Sequence, residues 1–263
     1  MIDKDDTECN LYKYDCMIPS LFSKWFPFIE GKGFKTPEST IIPVPQDVFI
    51  ACYDPHIKAQ RELIESFVKE NIASLMQEHK TYFCKNGSFS NKFNFKDCWT
   101  YKQRITESFI NINYAALCCE AGGVSEFILR EPVFTRRCIY STIYNGMPLR
   151  PEFRVFYDFT NHKPLYIVNY WDYDYCAEHI YDPEDRKVFD DTREYLDTMF
   201  NKHKFRAMRE SESNLRNVTG LDGIWSVDLM MADDDTFFLI DMAVGIQSAY
   251  WDAKRIAEKG GVV

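Results

Sequence analysis

The stretch "GIWSVDLMMADDDTFFLIDM", residues 223 to 242, constrains the fold more than any other. Two apolar runs flank a short acidic turn, the pattern of a β-hairpin. With the turn centred on Asp234 and Asp235, Asp228 faces Asp241 on one side of the sheet, and directly opposed side chains lie roughly 5 Å apart. Two carboxylates so placed among Val227, Leu229, Ile240 and Met242 are costly unless a cation sits between them. Mg2+ suits such a pair, because it takes one or two carboxylates and completes its shell with water and phosphate oxygens. The alternative is a register one residue different, with one aspartate exposed at a sheet end. Asp233, Asp234 and Asp235 read as solvated turn residues.

Upstream, "DVFIACY" (47 to 53) predicts a buried strand, and a helix follows in which Leu63, Ile64, Phe67, Val68, Ile72, Leu75 and Met76 recur at helical spacing. "TYFCK" (81 to 85) and "CWTY" predict strands, and a helix over about 105 to 120 stops at Gly122 and Gly123, where a left-handed cap belongs. "EFILREPV", "EFRVFYDF" and "PLYIVNYW" predict three more strands, then an acid-rich helix over about 183 to 204, the hairpin, and a short helix. Short turns between neighbouring strands predict antiparallel pairing with helices packed on it, an α+β fold. Residues 1–46 hold five of the eleven prolines and show no periodicity, which predicts an irregular or separately packed head.

The length of 263 residues and 46% hydrophobic content suit one compact body or two lobes around a cleft. A formal charge of −9 argues against non-specific nucleic-acid binding. No window approaches the roughly 20 apolar residues of a membrane span, and "MIDKDDTECN" is no secretory signal, so a cytoplasmic protein is expected. The nine cysteines are scattered without a C-x-x-C, as reduced structural thiols are, and the five histidines have no ligand spacing. Any metal would therefore use oxygen ligands. "EGKGFKTP" (30 to 37) has the wrong order for a Walker A loop and reads as a surface turn, and the N-x-S/T matches at Asn86 and Asn217 carry no meaning in a cytosolic chain.

In "FCKNGSFSNKF" (83 to 93), Lys85 and Lys92 bracket a loop of small and polar residues whose N–H groups suit a polyphosphate. An ordinary loop with two surface lysines is the alternative. In "PEFRVFYDF" (151 to 159), alternation puts Phe153, Val155, Tyr157 and Phe159 on one face and Glu152 and Arg154 on the other. Arg154 is a fixed fork for phosphate oxygens, with Glu152 neutralising or orienting it; a structural Glu–Arg pair is the alternative. The tyrosines and acids of "NYWDYDYC" (169 to 176) either line a pocket for a cationic amine or form a solvated strand end.

The order of "FCK", "ILREPV", "EFRVF", "VDL" and "FLIDM" resembles the ATP-grasp superfamily over roughly residues 47–250, nearest its small phage- and bacterial-type members with a "REP…P…EFRVF…YW" pattern. A similar order occurs in a eukaryotic ATP-grasp chaperone that assembles a translation initiation factor. The resemblance implies two α+β subdomains, 47–130 and 131–263, with mainly antiparallel sheets enclosing ATP, after the head at 1–46. It implies that Lys85, with Lys92, binds phosphates. It makes Arg130, Glu131, Pro132 and Val133 a hinge whose backbone reads adenine, with Glu131 near the ribose. Arg154, beside Glu152, would meet the γ-phosphate or an acyl phosphate, and Asp228 and Asp241 would ligate Mg2+. One departure stands out: such enzymes commonly end with an acid, one residue and asparagine, and here Ala243, facing Ser226, holds the asparagine's place. Either Gln247 or Ser248 replaces that ligand, or one metal site is lost. The implied activity is a carboxylate–amine ligase using ATP and Mg2+ through an acyl phosphate, on small-molecule or peptide substrates. A small-molecule kinase, and a non-catalytic ATP-binding assembly protein with a protein partner, are the other readings; Ala243 favours the last.

Overall fold

The computed structural model describes residues 19–118, 126–133 and 141–261. In chain order these form α1 (Phe22–Ile29), β1 (Ser39–Pro43), α2 (Gln46–Ala51), α3 (Lys58–Asn71), β2 (Thr81–Asn86), α4 (Phe95–Cys98), β3 (Trp99–Tyr101), α5 (Ile105–Cys118), β4 (Glu126–Arg130), the two-residue strands β5 (Thr142–Ile143) and β6 (Met147–Pro148), β7 (Glu152–Asp158), β8 (Lys163–Asn169), α6 (Tyr173–His179), α7 (Pro183–Leu215), β9 (Ile224–Met231), β10 (Phe237–Val244) and α8 (Ala253–Glu258). The chain divides into two compact units: Met1–Ser23, Glu38–Pro132 and Tyr144–Met147 make the first, and Lys24–Pro37, Val133–Ile143 and Pro148–Val263 the second. Each is built on a four-stranded antiparallel sheet, so the α+β class holds. No helix among the described residues is long and apolar enough to cross a membrane.

The sheet of the first unit runs β1-β4-β2-β3. Its Cys84, Asn86 and Phe127 face packs on α5, where Phe127 meets Phe109 at 5.1 Å between ring centres and Asn86 Nδ2 donates to Asn113 Oδ1 at 3.2 Å. The described part of the stretch expected to be an irregular head holds α1 and also β1, whose Ile41 and Ile42 pair with Ile128 and Phe127. The stretch 47 to 53, expected as a strand, is instead helix α2 (Gln46–Ala51) followed by a turn. Val48, Phe49 and Cys52 are buried at a helical spacing, and Phe49 N–H donates to the Pro45 carbonyl at 3.0 Å, closing the first turn behind the proline. A short apolar run fits either period, and here the turn before it decides. The expected stop at Gly122 and Gly123 lies outside the described residues.

The sheet of the second unit runs β10-β9-β7-β8. One face of β7 is apolar as the alternation requires: Phe153, Val155 and Tyr157 are fully buried, and Phe153 packs against Phe200 of α7 and Phe237. Helix α7 runs 33 residues, eleven beyond its expected end at 204, because a stripe of Phe189, Leu196, His203, Ala207, Ser211 and Leu215 continues on one side. Asp182 caps it, accepting from the N–H groups of Glu184 and Asp185 at 2.8 and 3.0 Å, and Pro183 opens the first turn.

The last hairpin has the expected pairing at its acids by an unexpected route. Its loop is one residue tighter than a turn centred on Asp234 and Asp235: Phe237 pairs with Met231 and Leu239 with Leu229, and Asp235 takes a left-handed φ of 61°. A bulge between Leu239 and Asp241 then adds the residue back, so Asp241 faces Asp228 and Ala243 faces Ser226.

Candidate functional site

In the second unit, three adjacent strands put Arg154, Asp228 and Asp241 in one row: Arg154 of β7 faces Asp228 of β9, and Asp228 faces Asp241 of β10. The cation the acid pair needs is thus partly internal. Arg154 Nε and Nη2 each donate to an Asp228 carboxylate oxygen at 2.7 Å, a two-pronged bond between side chains only 11% and 9% exposed. Burial works against the guanidinium's charge, yet the Asp228 charge and its hydrogen bonds outweigh that and hold the group above its ordinary pKa. Nη1 donates to the Ala249 carbonyl at 3.3 Å, and the Tyr170 ring lies 4.9 Å from the guanidinium carbon. Glu152 shares Arg154's face at the start of β7, opposite Met230, but the carboxylate joined to Arg154 is Asp228 and not Glu152. Register explains the Arg154–Asp228 pairing, since facing residues on paired strands are closer than alternate residues on one strand.

The segment after β10 covers the same face. Tyr166 Oη donates to the Tyr250 carbonyl at 2.9 Å and accepts from Asp252 N–H at 3.1 Å, and Tyr250 Oη donates to the Tyr170 carbonyl at 2.8 Å. Phe156, Tyr166, Ile224 and Ile256 form an apolar cluster beneath it, joined by Trp251. Gly245 is required there, because a Cβ would lie 2.5 Å from the Trp251 ring and 2.9 Å from the Ile224 carbonyl. Of the two residues weighed as replacements for the asparagine oxygen, Ser248 has its hydroxyl 2.7 Å from that of Ser226, which faces Ala243, and donates to the Val244 carbonyl at 3.2 Å. Gln247 is exposed in the turn before it. The Asp228–Asp241 pair is the oxygen donor set the structure offers a divalent cation, and among the described residues no group of three or more acids, histidines or cysteines is arranged to hold one. Two carboxylates suffice for Mg2+ when phosphate and water complete its shell.

In the first unit, Lys85, Glu126 and Arg130 share one face of the sheet and are nearly buried. The fully buried Phe22 ring lies against both cations, 5.7 Å from Lys85 Nζ and 5.2 Å from the Arg130 guanidinium carbon. Arg130 Nε donates to Ser39 Oγ at 3.1 Å. The loop after Lys85 turns its backbone inward: Gly87 N–H donates to the Glu126 carbonyl and Ser88 N–H to Asn86 Oδ1, both at 3.2 Å. Gly87 leaves room for the Glu126 carboxylate, 2.2 Å from where a Cβ would stand. Cys98 Sγ donates to the Ser90 carbonyl at 3.1 Å, and burial pushes its thiol up to about 12, with Asp97 adding and Lys85 opposing. Lys92 opens a short 3-10 turn with its ammonium 5.4 Å from the Phe93 ring. At the end of β4, Glu131 N–H donates to the Glu38 carbonyl at 2.8 Å while its carboxylate pairs with Lys80; Pro132 and Val133 follow outside the sheet.

The tyrosines of 169 to 176 are engaged within the second unit. Tyr173 stacks on Phe189 with Arg193 3.9 Å from its ring centre, and Tyr175 packs on His179 and Tyr250. Around Arg154 the residue that sequence reasoning missed is Ala249, while Tyr170, singled out only as part of the segment 169 to 176, is joined to the arginine by the strand order.

No protein-family model matches the chain, and no curated protein matches it. Among solved structures, Cdc123 from Schizosaccharomyces pombe is similar at 14% identity and a TM-score of 0.49, over 91% of this chain and 90% of that one. The VanG D-Ala:D-Ser ligase from Enterococcus faecalis is similar at 10% identity and a TM-score of 0.42, over 93% of this chain and 58% of that one. The D-alanine–D-alanine ligase from Bacillus anthracis complexed with ATP is similar at 12% identity and a TM-score of 0.42, over 92% of this chain and 60% of that one.

Proposed function

We propose that the chain binds Mg·ATP in the ATP-grasp manner and acts as an ATP-dependent carboxylate–amine ligase. The observation that carries the reading is the row Arg154–Asp228–Asp241, an always-charged fork beside two facing carboxylates on a rigid sheet. In this reading Asp228 and Asp241 hold Mg2+, Arg154 takes phosphate oxygens, and Lys85 and Lys92 neutralise the remaining phosphate charge; Arg130 to Val133 contribute the adenine contacts. Bound Mg2+ supplies charge stabilisation to the transferring phosphoryl group. The protein's own groups position that group, so that a carboxylate oxygen attacks the γ-phosphorus as its bond to the β–γ bridging oxygen breaks and ADP leaves, and an amine then displaces phosphate from the acyl carbon with loss of a proton.

One observation favours a second reading. Ala243 provides no oxygen side chain, and Ser226, which faces it, is engaged with Ser248 and the Ala243 carbonyl. A single cation seat suits a nucleotide-binding assembly protein that turns ATP over slowly or not at all. Isothermal titration with a non-hydrolysable ATP analogue, with and without Mg2+, tests the shared part. Magnesium-dependent binding lost in Asp241→Ala and Lys85→Ala supports it, and no binding by the wild type sinks it. ATP turnover stimulated by carboxylate and amine mixtures then selects the ligase, and tight binding without turnover the assembly protein.

A further inference from the structure

The bond between Arg154 and Asp228 assigns that carboxylate two rival cations. Asp228 already has the Arg154 fork on both oxygens. A guanidinium carries five N–H groups, and three of Arg154's are engaged, two by Asp228 and one by the Ala249 carbonyl. We propose, building on the nucleotide reading above, that Mg2+ and Arg154 exchange at Asp228: arginine is the carboxylate's counter-ion in the empty protein, and phosphate takes over the arginine when the metal arrives.

Charge balance gives the direction. Arg154 and Asp228 cancel one another in the empty state, so a divalent ion entering alone at Asp228 sets two cations side by side, an excess positive charge in the part of the row shielded from water. Such an excess is costly where water is scarce. An entering phosphate removes it, because the N–H groups released from Asp228 join those still unengaged and turn to its oxygens. The metal by itself is therefore held weakly and the metal–nucleotide complex firmly. Tyr170 over the guanidinium and the Ala249 carbonyl on Nη1 keep Arg154 near the row during the exchange.

The test is a pair of titrations on the full chain, Mn2+ alone followed by its paramagnetic resonance, and the non-hydrolysable ATP analogue at saturating Mg2+. Arg154→Gln is expected to bind Mn2+ alone about tenfold tighter than the wild type, since the rival cation is gone, and the magnesium–analogue complex about tenfold more weakly. Arg154→Lys keeps the charge while losing the fork, and moves both affinities in the same two directions by smaller factors, which guards against a glutamine variant that folds badly. Opposed changes support the exchange; a loss of both affinities together, or Mn2+ binding unmoved in both variants, overturns it. A wild-type chain that takes up no analogue at saturating Mg2+ overturns the nucleotide reading itself, and that result is read without any variant.

Discussion

Removing one member of the Arg154–Asp228 pair leaves a buried charge without its counter-ion, and such a loss typically costs about 3 to 5 kcal/mol. Asp228→Ala and Arg154→Met should each show a loss of about 3 kcal/mol in chemical denaturation, while Asp228→Leu with Arg154→Met together should cost clearly less than the sum. Additive losses would show that the two side chains stabilise the sheet independently. Both residues stand out in the sequence as candidates, yet their bond joins positions 74 apart on strands whose adjacency no local pattern encodes. His203 gives a second residue-scale prediction. It is 6% exposed on α7 with Nε2 unbonded, and its pKa is lowered by burial and then by Arg206 and Lys202, against which Asp235 acts. The unfolded chain therefore takes up a proton near the ordinary value of about 6.5 that the folded chain refuses, so stability is intact above that pH and falls as the pH drops through it. His203→Leu should flatten the decline in denaturation midpoint between about pH 7 and pH 5; an unchanged slope would show that other groups set it.

At the scale of elements, the final hairpin is legible because two apolar runs around an acidic turn have few other solutions. What the pattern omits is how the turn is made. Asp235 at φ 61° occupies the left-handed position that closes a three-residue hairpin loop. Asp235→Val should cost about 1 to 2 kcal/mol by thermal or chemical unfolding, whereas Asp235→Gly should cost little, the difference being the Cβ penalty. Equal losses would mean that the side chain, and not the backbone, matters there. The alternation of 152 to 158 gives β7 and its apolar face correctly. Residues 46 to 51 were open to misreading because six residues are too few to separate a period of 2 from one of 3.6. The polar end of α7 was hidden because Ala207 and Ser211, small and unobtrusive in sequence, carry its buried stripe.

In the second unit Arg154 and Asp228 are paired, with Asp241 facing Asp228, so in the nucleotide reading a ligand bound there should be visible as stability. At an analogue concentration about 100 times its dissociation constant, binding adds about 2.7 kcal/mol, enough to raise the melting temperature by roughly 5 to 10 °C. Differential scanning fluorimetry should show that rise only with Mg2+ present and not in Asp241→Ala; a rise of equal size without Mg2+ would remove the metal from the account. The scattered cysteines and histidines pointed any metal to oxygen ligands, but nothing in composition marked the division into two units, because neither is a continuous stretch. Lys35, within the early segment of the second unit, bridges in parallel to Phe238 and accepts from Leu239 N–H at 2.9 Å. On the ribosome this means that residues 24–37 are made long before the strand they pair with. The nascent chain must carry that segment without this strand until β10 has been made, so closure of the second unit waits on a contact between distant parts of the sequence.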